Sequence, residues 1–188
     1  TEFSHTRGFY DAAFNLTIAC ETSGVSIYYT TDGTNPISGE IPTATAFLYS
    51  GAIPVSGSAV IRAAGIKTGW KPTNIDTHTF IFGASDAIKN MPVVCLSGSE
   101  SDTFFLPNGI MAYKTSRGIA YERPASLEIM DLQAGTSLQE DCGIRLHGSD
   151  HTRPSYTIGD DWATCWVNWW PGNNSNKLGF NVWFRSDY

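Results

Sequence analysis

The stretch DDWATCWVNWWPGNN, residues 160–174, gathers four of the six tryptophans of a 188-residue chain beside aspartates and asparagines. An indole presents a broad apolar face that stacks on the C–H face of a sugar ring, and nearby carboxylates and amides bond the hydroxyls. Trp162, Trp166, Trp169 and Trp170, with Asp161 and Asn173, are therefore the candidate surface for a glycan or a protein partner. Tryptophan also anchors protein interfaces and fills cores, so all three readings stay open. Trp162, Trp166 and Trp170 recur at a helical spacing of four, but the flanking Asp-Asp and Pro-Gly-Asn-Asn favour a loop with a short strand.

Other chemistries have thinner support. His147, Asp150 and His151 in HGSDH supply two imidazoles and a carboxylate, which suit a metal only if they converge. A solvated turn explains them, and no metal or cofactor is expected. Asp160-Asp161 has no ladder of further oxygen ligands for calcium. A glycosidase needs two carboxylates facing one bond; Glu122, Glu128 and Asp131 qualify by residue type alone. GxSxG, P-loop and GxGxxG patterns are absent. The expectation leans away from an enzyme.

Cys20, Cys95, Cys142 and Cys165 are widely spaced, without CxxC pairs. They are candidates for two disulfides if the chain is secreted, and for buried thiols otherwise. Asn15-Leu16-Thr17 and Asn173-Asn174-Ser175 are possible glycosylation triplets, Asn15 in a strand-like run and Asn173 in a loop.

Strands must position these groups. AFNLTIAC (13–20) alternates, with Phe14, Leu16, Ile18 and Cys20 on one face. SIYYTT, AVIRAAGIK and THTFIF follow at short spacing between Gly, Pro, Asn and Asp, which predicts a small sandwich. In SIYYTTDGTNP, Gly33 tolerates positive φ and Pro36 cannot donate to a ladder, so the strand ends in a corner. Residues 84–91 suggest one helical turn with Ser85 as cap. MPVVCLSG, PASLEIMDL, CGIRLHG and LGFNVWFRSDY then read as further strands.

The totals agree with a mainly β chain. Charged residues are 16%, low for a cytosolic globule. A net charge of −6 without Lys/Arg blocks argues against nucleic acid and anionic membranes. No apolar run is long enough for membrane insertion as a helix.

Residues 3–82, with FSHTRGFYDAAFNLTI, IYYTTDGTNP, VIRAAGIKTGW and NIDTHTFIF, resemble the chitobiase and hexosaminidase C-terminal-like module. That resemblance implies an immunoglobulin-like β-sandwich. AIKNMPVVCLSG, FLPNGIMAY, YERPASLEIMD, CGIRLHG and LGFNVWFRSDY resemble the opening of the spore coat protein H (CotH) kinase-like family, and residues 149–177 look like an expanded loop within it. The family's nucleotide and metal residues would fall beyond Tyr188, so no kinase residue is carried over.

The expectation is a β-sandwich over 1–83 and a second β-rich module with a long loop over 84–188. Its expected role is that of a non-catalytic extracellular or cell-surface module for adhesion, assembly or glycan contact. Its partners would be a glycan, other copies of itself or neighbouring surface proteins. A structural subunit of a filament or sheath, and an N-terminal fragment of a CotH-type kinase, are the alternatives.

Overall fold

The computed structural model describes residues 1–148, 156–157, 166–170, 173–175 and 179–184. The chain forms two compact units. One comprises Thr1–Ser97 with Ser126–Gln139, the other Gly98–Ala125 with Glu140–Tyr188. The Arg123–Asp131 and Thr136–Leu146 strands each contribute residues to both.

The first unit holds an immunoglobulin-like β-sandwich. Its larger sheet has the order Gly8–Tyr10, Asp76–Phe82, Ala59–Ile66, Ser26–Thr30, Phe47–Leu48. All neighbours are antiparallel except Gly8–Tyr10, which runs parallel to Phe80–Phe82. The predicted AFNLTIAC strand is divided in two. Phe14–Leu16 pairs with Ile53–Val55, whereas Ile18–Ala19 pairs with Glu2–Phe3. Thr17, between them, exchanges bonds with Ser4 instead: its carbonyl accepts from Ser4 N, and its N–H donates to Ser4 Oγ, both at 2.9 Å. The predicted alternation survives the break, because Leu16 and Ile18 both enter the core with Ile27, Ile53, Val55, Ile61, Ala63 and Phe80.

Phe80 is enclosed by Tyr10 and Phe14, which meet it edge-on at centroid distances of 5.6 and 5.2 Å. These are the tilted geometries that aromatic quadrupoles favour. The sheet's opposite face buries polar residues. Arg62, Thr77 and Thr79 are buried there, although strand alternation alone would assign that face to solvent.

The Asp32-Gly33 turn is a corner held from both sides. Asp32 Oδ1 accepts from Thr34 N at 3.0 Å, and Gly33 takes φ +79°. Arg62 reaches across from the neighbouring strand and donates to Gly33 O at 3.2 Å and to Asn35 Oδ1.

Asp86–Lys89 is the expected single helical turn, but the Ser85 side chain makes no cap bond. Its carbonyl serves instead, accepting from Ile88 N and Lys89 N at 3.0 Å. Val93–Ser97 then pairs antiparallel with Ser126–Met130.

The two-disulfide framework is not formed as expected. Cys20 and Cys95 are free thiols. Their surroundings differ: Cys20 lines a surface depression with Glu2, Glu21 and Thr22, while Cys95 lies opposite Glu128 in the strand ladder. Cys142 is fully buried on its strand, and Cys165 lies outside the described residues.

The second unit is irregular before it is β. Glu100–Phe104 is a π-helical turn whose N-cap Ser99 side chain accepts from Asp102 N at 3.1 Å. Two 3-10 turns follow, Ile110–Tyr113 and Ile119–Tyr121. Gly143–Leu146 pairs antiparallel with Phe180–Trp183. Phe104, Phe105, Ile110, Met111, Ile144 and Leu146 are buried. Among the described residues no helix is long and apolar enough to cross a membrane.

Candidate functional site

Trp166–Trp170 forms the centre of a three-stranded antiparallel sheet, flanked by Tyr156–Thr157 and Asn173–Ser175. Thr157 lies opposite Trp166, Asn174 opposite Asn168, and Asn173 opposite Trp170. The register shifts between Asn168 and Trp170, so Trp169 falls at an irregularity of the kind that locally re-aims a strand. The topology thus brings Trp166, Trp169, Trp170 and Asn173 into one small sheet. Asn173 sits on a strand rather than in the expected loop, and Asn15 is exposed on the Phe14–Leu16 strand. Trp162, Asp161, Asp160, Asp150 and His151 lie outside the described residues.

The first strand of this sheet is tied down at Tyr156. Its side chain is buried and its hydroxyl donates to the carbonyl of His147 at 2.6 Å. Lys114 Nζ donates to the Tyr156 carbonyl, also at 2.6 Å. His147 pairs through Nδ1 with Asn181 Oδ1 at 2.8 Å, and its N–H donates to Gly179 O. His147 is therefore a strand-end anchor. Among the described residues no group of three or more His, Cys, Asp or Glu is placed to hold a metal.

Beside this anchor lies an arrangement that the residue spacing did not reveal. The Arg145 guanidinium stacks over the Trp183 ring, 4.4 Å from its centroid, and Arg145 Nη1 stands 3.9 Å from Glu122 Oε1. The register explains the stacking. Trp183 lies opposite Gly143, which has no side chain, and Arg145 lies two pairs further on, opposite Asn181 and on the same face. A cation over an indole is stabilised by the ring quadrupole, by about 0.5–1 kcal/mol when exposed and more when desolvated. The only sequence signal was an aromatic and an arginine on separate alternating strands, far apart in the chain.

The first unit carries a second overlooked aromatic. Trp70 is 58% exposed. It ends a tight turn in which its N–H donates to Lys67 O at 3.0 Å and Gly69 takes φ +78°. Lys67 Nζ sits 4.7 Å from the ring centroid and donates to Ser23 O at 2.9 Å. The indole is thus presented to solvent on a braced turn.

The three carboxylates selected by type have structural partners. Glu128 Oε1 accepts from Arg7 Nε at 2.9 Å and from Thr79 N at 3.0 Å, and Oε2 accepts from the Thr79 hydroxyl. Asp131 Oδ1 caps a turn by accepting from Gln133 N and Ala134 N, both at 3.0 Å. Glu122 is buried in the second unit beside Arg145. Burial, reinforced by the charge of Glu128, pushes the Cys95 thiol up to about 11, so it is not a nucleophile at neutral pH.

Residues 5–77 match the family model of the chitobiase/beta-hexosaminidase C-terminal domain. The matched segment runs from His5 into the Asp76–Phe82 strand, so it contains the Asp32-Gly33 corner, buried Arg62 and exposed Trp70. The tryptophan sheet lies beyond it. Nothing in the comparison supports the CotH-type resemblance of the later segments. No curated protein and no solved structure matches the chain.

Proposed function

We propose that this chain is a non-catalytic module of an extracellular or cell-surface protein that contacts carbohydrate. The observation that carries this reading is the match of residues 5–77 to a domain family named for glycan-processing enzymes. Two aromatic surfaces are the proposed contacts. One is the sheet bearing Trp166, Trp169 and Trp170 with Asn173, joined in sequence to Trp162 and Asp161. The other is Trp70 on its braced turn. Indole faces suit pyranose rings, and the lysine beside Trp70 adds a donor for ring hydroxyls. The structural roles of Glu128 and Asp131 support a binding role over a hydrolytic one.

The test is a glycan array that includes β-hexosaminides, probed with the wild type, Trp70→Ala, and the Trp166→Ala, Trp170→Ala pair. The expected result is binding by the wild type and loss of at least tenfold in affinity in one of the two variant sets. An array with no wild-type signal, or equal signal from all three proteins, overturns the proposal. The CotH-type reading of the later segments belongs to this proposal only as an alternative. It would show as nucleotide-dependent thermal stabilisation, because a ligand of the folded state raises apparent stability.

A further inference from the structure

The chain has three methionines, and the fold treats them differently. Met111, on the Ile110–Tyr113 turn, is fully buried, and Met130, on the Arg123–Asp131 strand, is 2% exposed. Met91 is 54% exposed. Its backbone is held on both sides. Before it, Asn90 Oδ1 accepts from Gln133 Nε2 at 3.0 Å, and the Met91 N–H itself donates to Ile88 O at 3.1 Å. After it, Pro92 biases Met91 towards extended backbone, and Val93 pairs with Met130 in the strand ladder. Drawing this side chain inward would cost those bonds, so the thioether stays at the surface.

We propose that Met91 is an oxidation site, at which a peroxide reversibly converts an exposed apolar side chain into a polar one. A lone pair of the sulfur attacks one peroxide oxygen. The S–O bond forms and the O–O bond breaks. With hydrogen peroxide, the proton of the transferred oxygen passes to the departing one, which leaves as water. Sulfur loses two electrons and the peroxide gains them. The product is methionine sulfoxide, which sulfoxide reductases return to methionine. Ile88 and Val94, on either side of Met91 in the chain, are exposed as well, so oxidation makes a surface stretch less apolar and leaves the core untouched.

The competing sulfurs are shielded. Met130 belongs to the first unit and Met111 to the second, so each reacts only when its own unit opens. Cys142 is fully buried, and burial with the charge of Glu128 keeps Cys95 a thiol at neutral pH. Thiols react with peroxide as thiolates, and an unperturbed thiol titrates near pH 8.5, so work at about pH 6 suppresses their oxidation. Thioether oxidation needs no deprotonation and continues there. None of this depends on carbohydrate binding.

Hydrogen peroxide added to the folded chain at about pH 6, followed by peptide mass spectrometry over time, tests the site. Met91 is expected to gain oxygen at least tenfold faster than Met111 and Met130, and urea is expected to equalise the three rates. Equal rates in the folded chain, or a Met91 that stays reduced there, overturn the proposal. Hydrophobic-interaction chromatography gives a second readout. Oxidised wild type should elute earlier and regain its position after treatment with sulfoxide reductases, whereas Met91→Leu should not shift. An equal shift in Met91→Leu, or no shift in a wild type oxidised at Met91, overturns the assigned change of surface.

Discussion

Glu128 and Glu122 are both buried carboxylates facing an arginine, and their surroundings differ. In the first unit Glu128 has three short bonds from Arg7 and Thr79, with Arg7 itself mostly buried. In the second unit Arg145 Nη1 stands 3.9 Å from Glu122 Oε1, beyond hydrogen-bond range for that pair of atoms, and the guanidinium is shared with the face of Trp183. A carboxylate that saturates its lone pairs with fixed donors is a rivet. An arginine divided between a carboxylate and an indole holds an aromatic surface in place while keeping part of itself in water. The first arrangement is a buried brace of the sandwich, and the second holds an indole of the later sheet in place.

The comparison predicts unequal costs. Glu128→Ala leaves the Arg7 charge and the Thr79 donors without their acceptor, and breaking a buried pair costs about 3–5 kcal/mol. Urea unfolding should show that loss, and an unchanged unfolding free energy would refute it. Next in size is Arg62→Ala, which releases the corner carbonyl of Gly33 and the Asn35 side chain. A loss of about 3 kcal/mol is expected from charged hydrogen bonds given up in a buried site.

A pH effect of similar size should come from His78. Its ring stacks on Phe3 at 4.2 Å, and its Nδ1 is buried without a hydrogen-bond partner. Burial, aided by the nearby Arg7 charge, lowers its pKa to about 4. The unfolded chain then binds a proton that the folded chain refuses between pH 6.5 and 4. Stability is complete above that window and falls as pH drops through it, by roughly 1.4 kcal/mol per unit. The difference between wild-type and His78→Leu unfolding free energies should carry that slope, and parallel profiles would refute it. The smallest change should come from Trp70→Ala. An exposed substitution costs within about 0.5 kcal/mol, so thermal unfolding should barely move, and any fall in the glycan signal of this variant then reports contact rather than unfolding.

Much of the sandwich was legible because hydrophobic alternation is a local signal. Leu16 and Ile18 lie in the core on the one face that their spacing predicted, and SIYYTTDGTNP ends in the predicted corner. The division at Thr17 was not legible, because a strand crossing between two ladders keeps its alternation. The Thr136–Leu146 strand was recognised only from Cys142 onward, because its first six residues are polar apart from Leu138, which is itself exposed, and show no apolar face. The tryptophans were found by type. Their backbone pairing, with Asn173 opposite Trp170, came only from a register that spacing does not encode.

Local sequence alone specified a mainly β chain, an apolar face of its sandwich, the corner at Asp32-Gly33 and a resemblance, over its first part, to one domain family. These rest on side-chain periodicity and backbone preference, which act between near neighbours. Tertiary structure alone decided that Arg62 and Glu128 are buried, that Cys20 and Cys95 are free thiols, and that Arg145 covers Trp183. Each depends on residues far apart in the chain, and only packing sets the distances that make a charge paired or a ring covered.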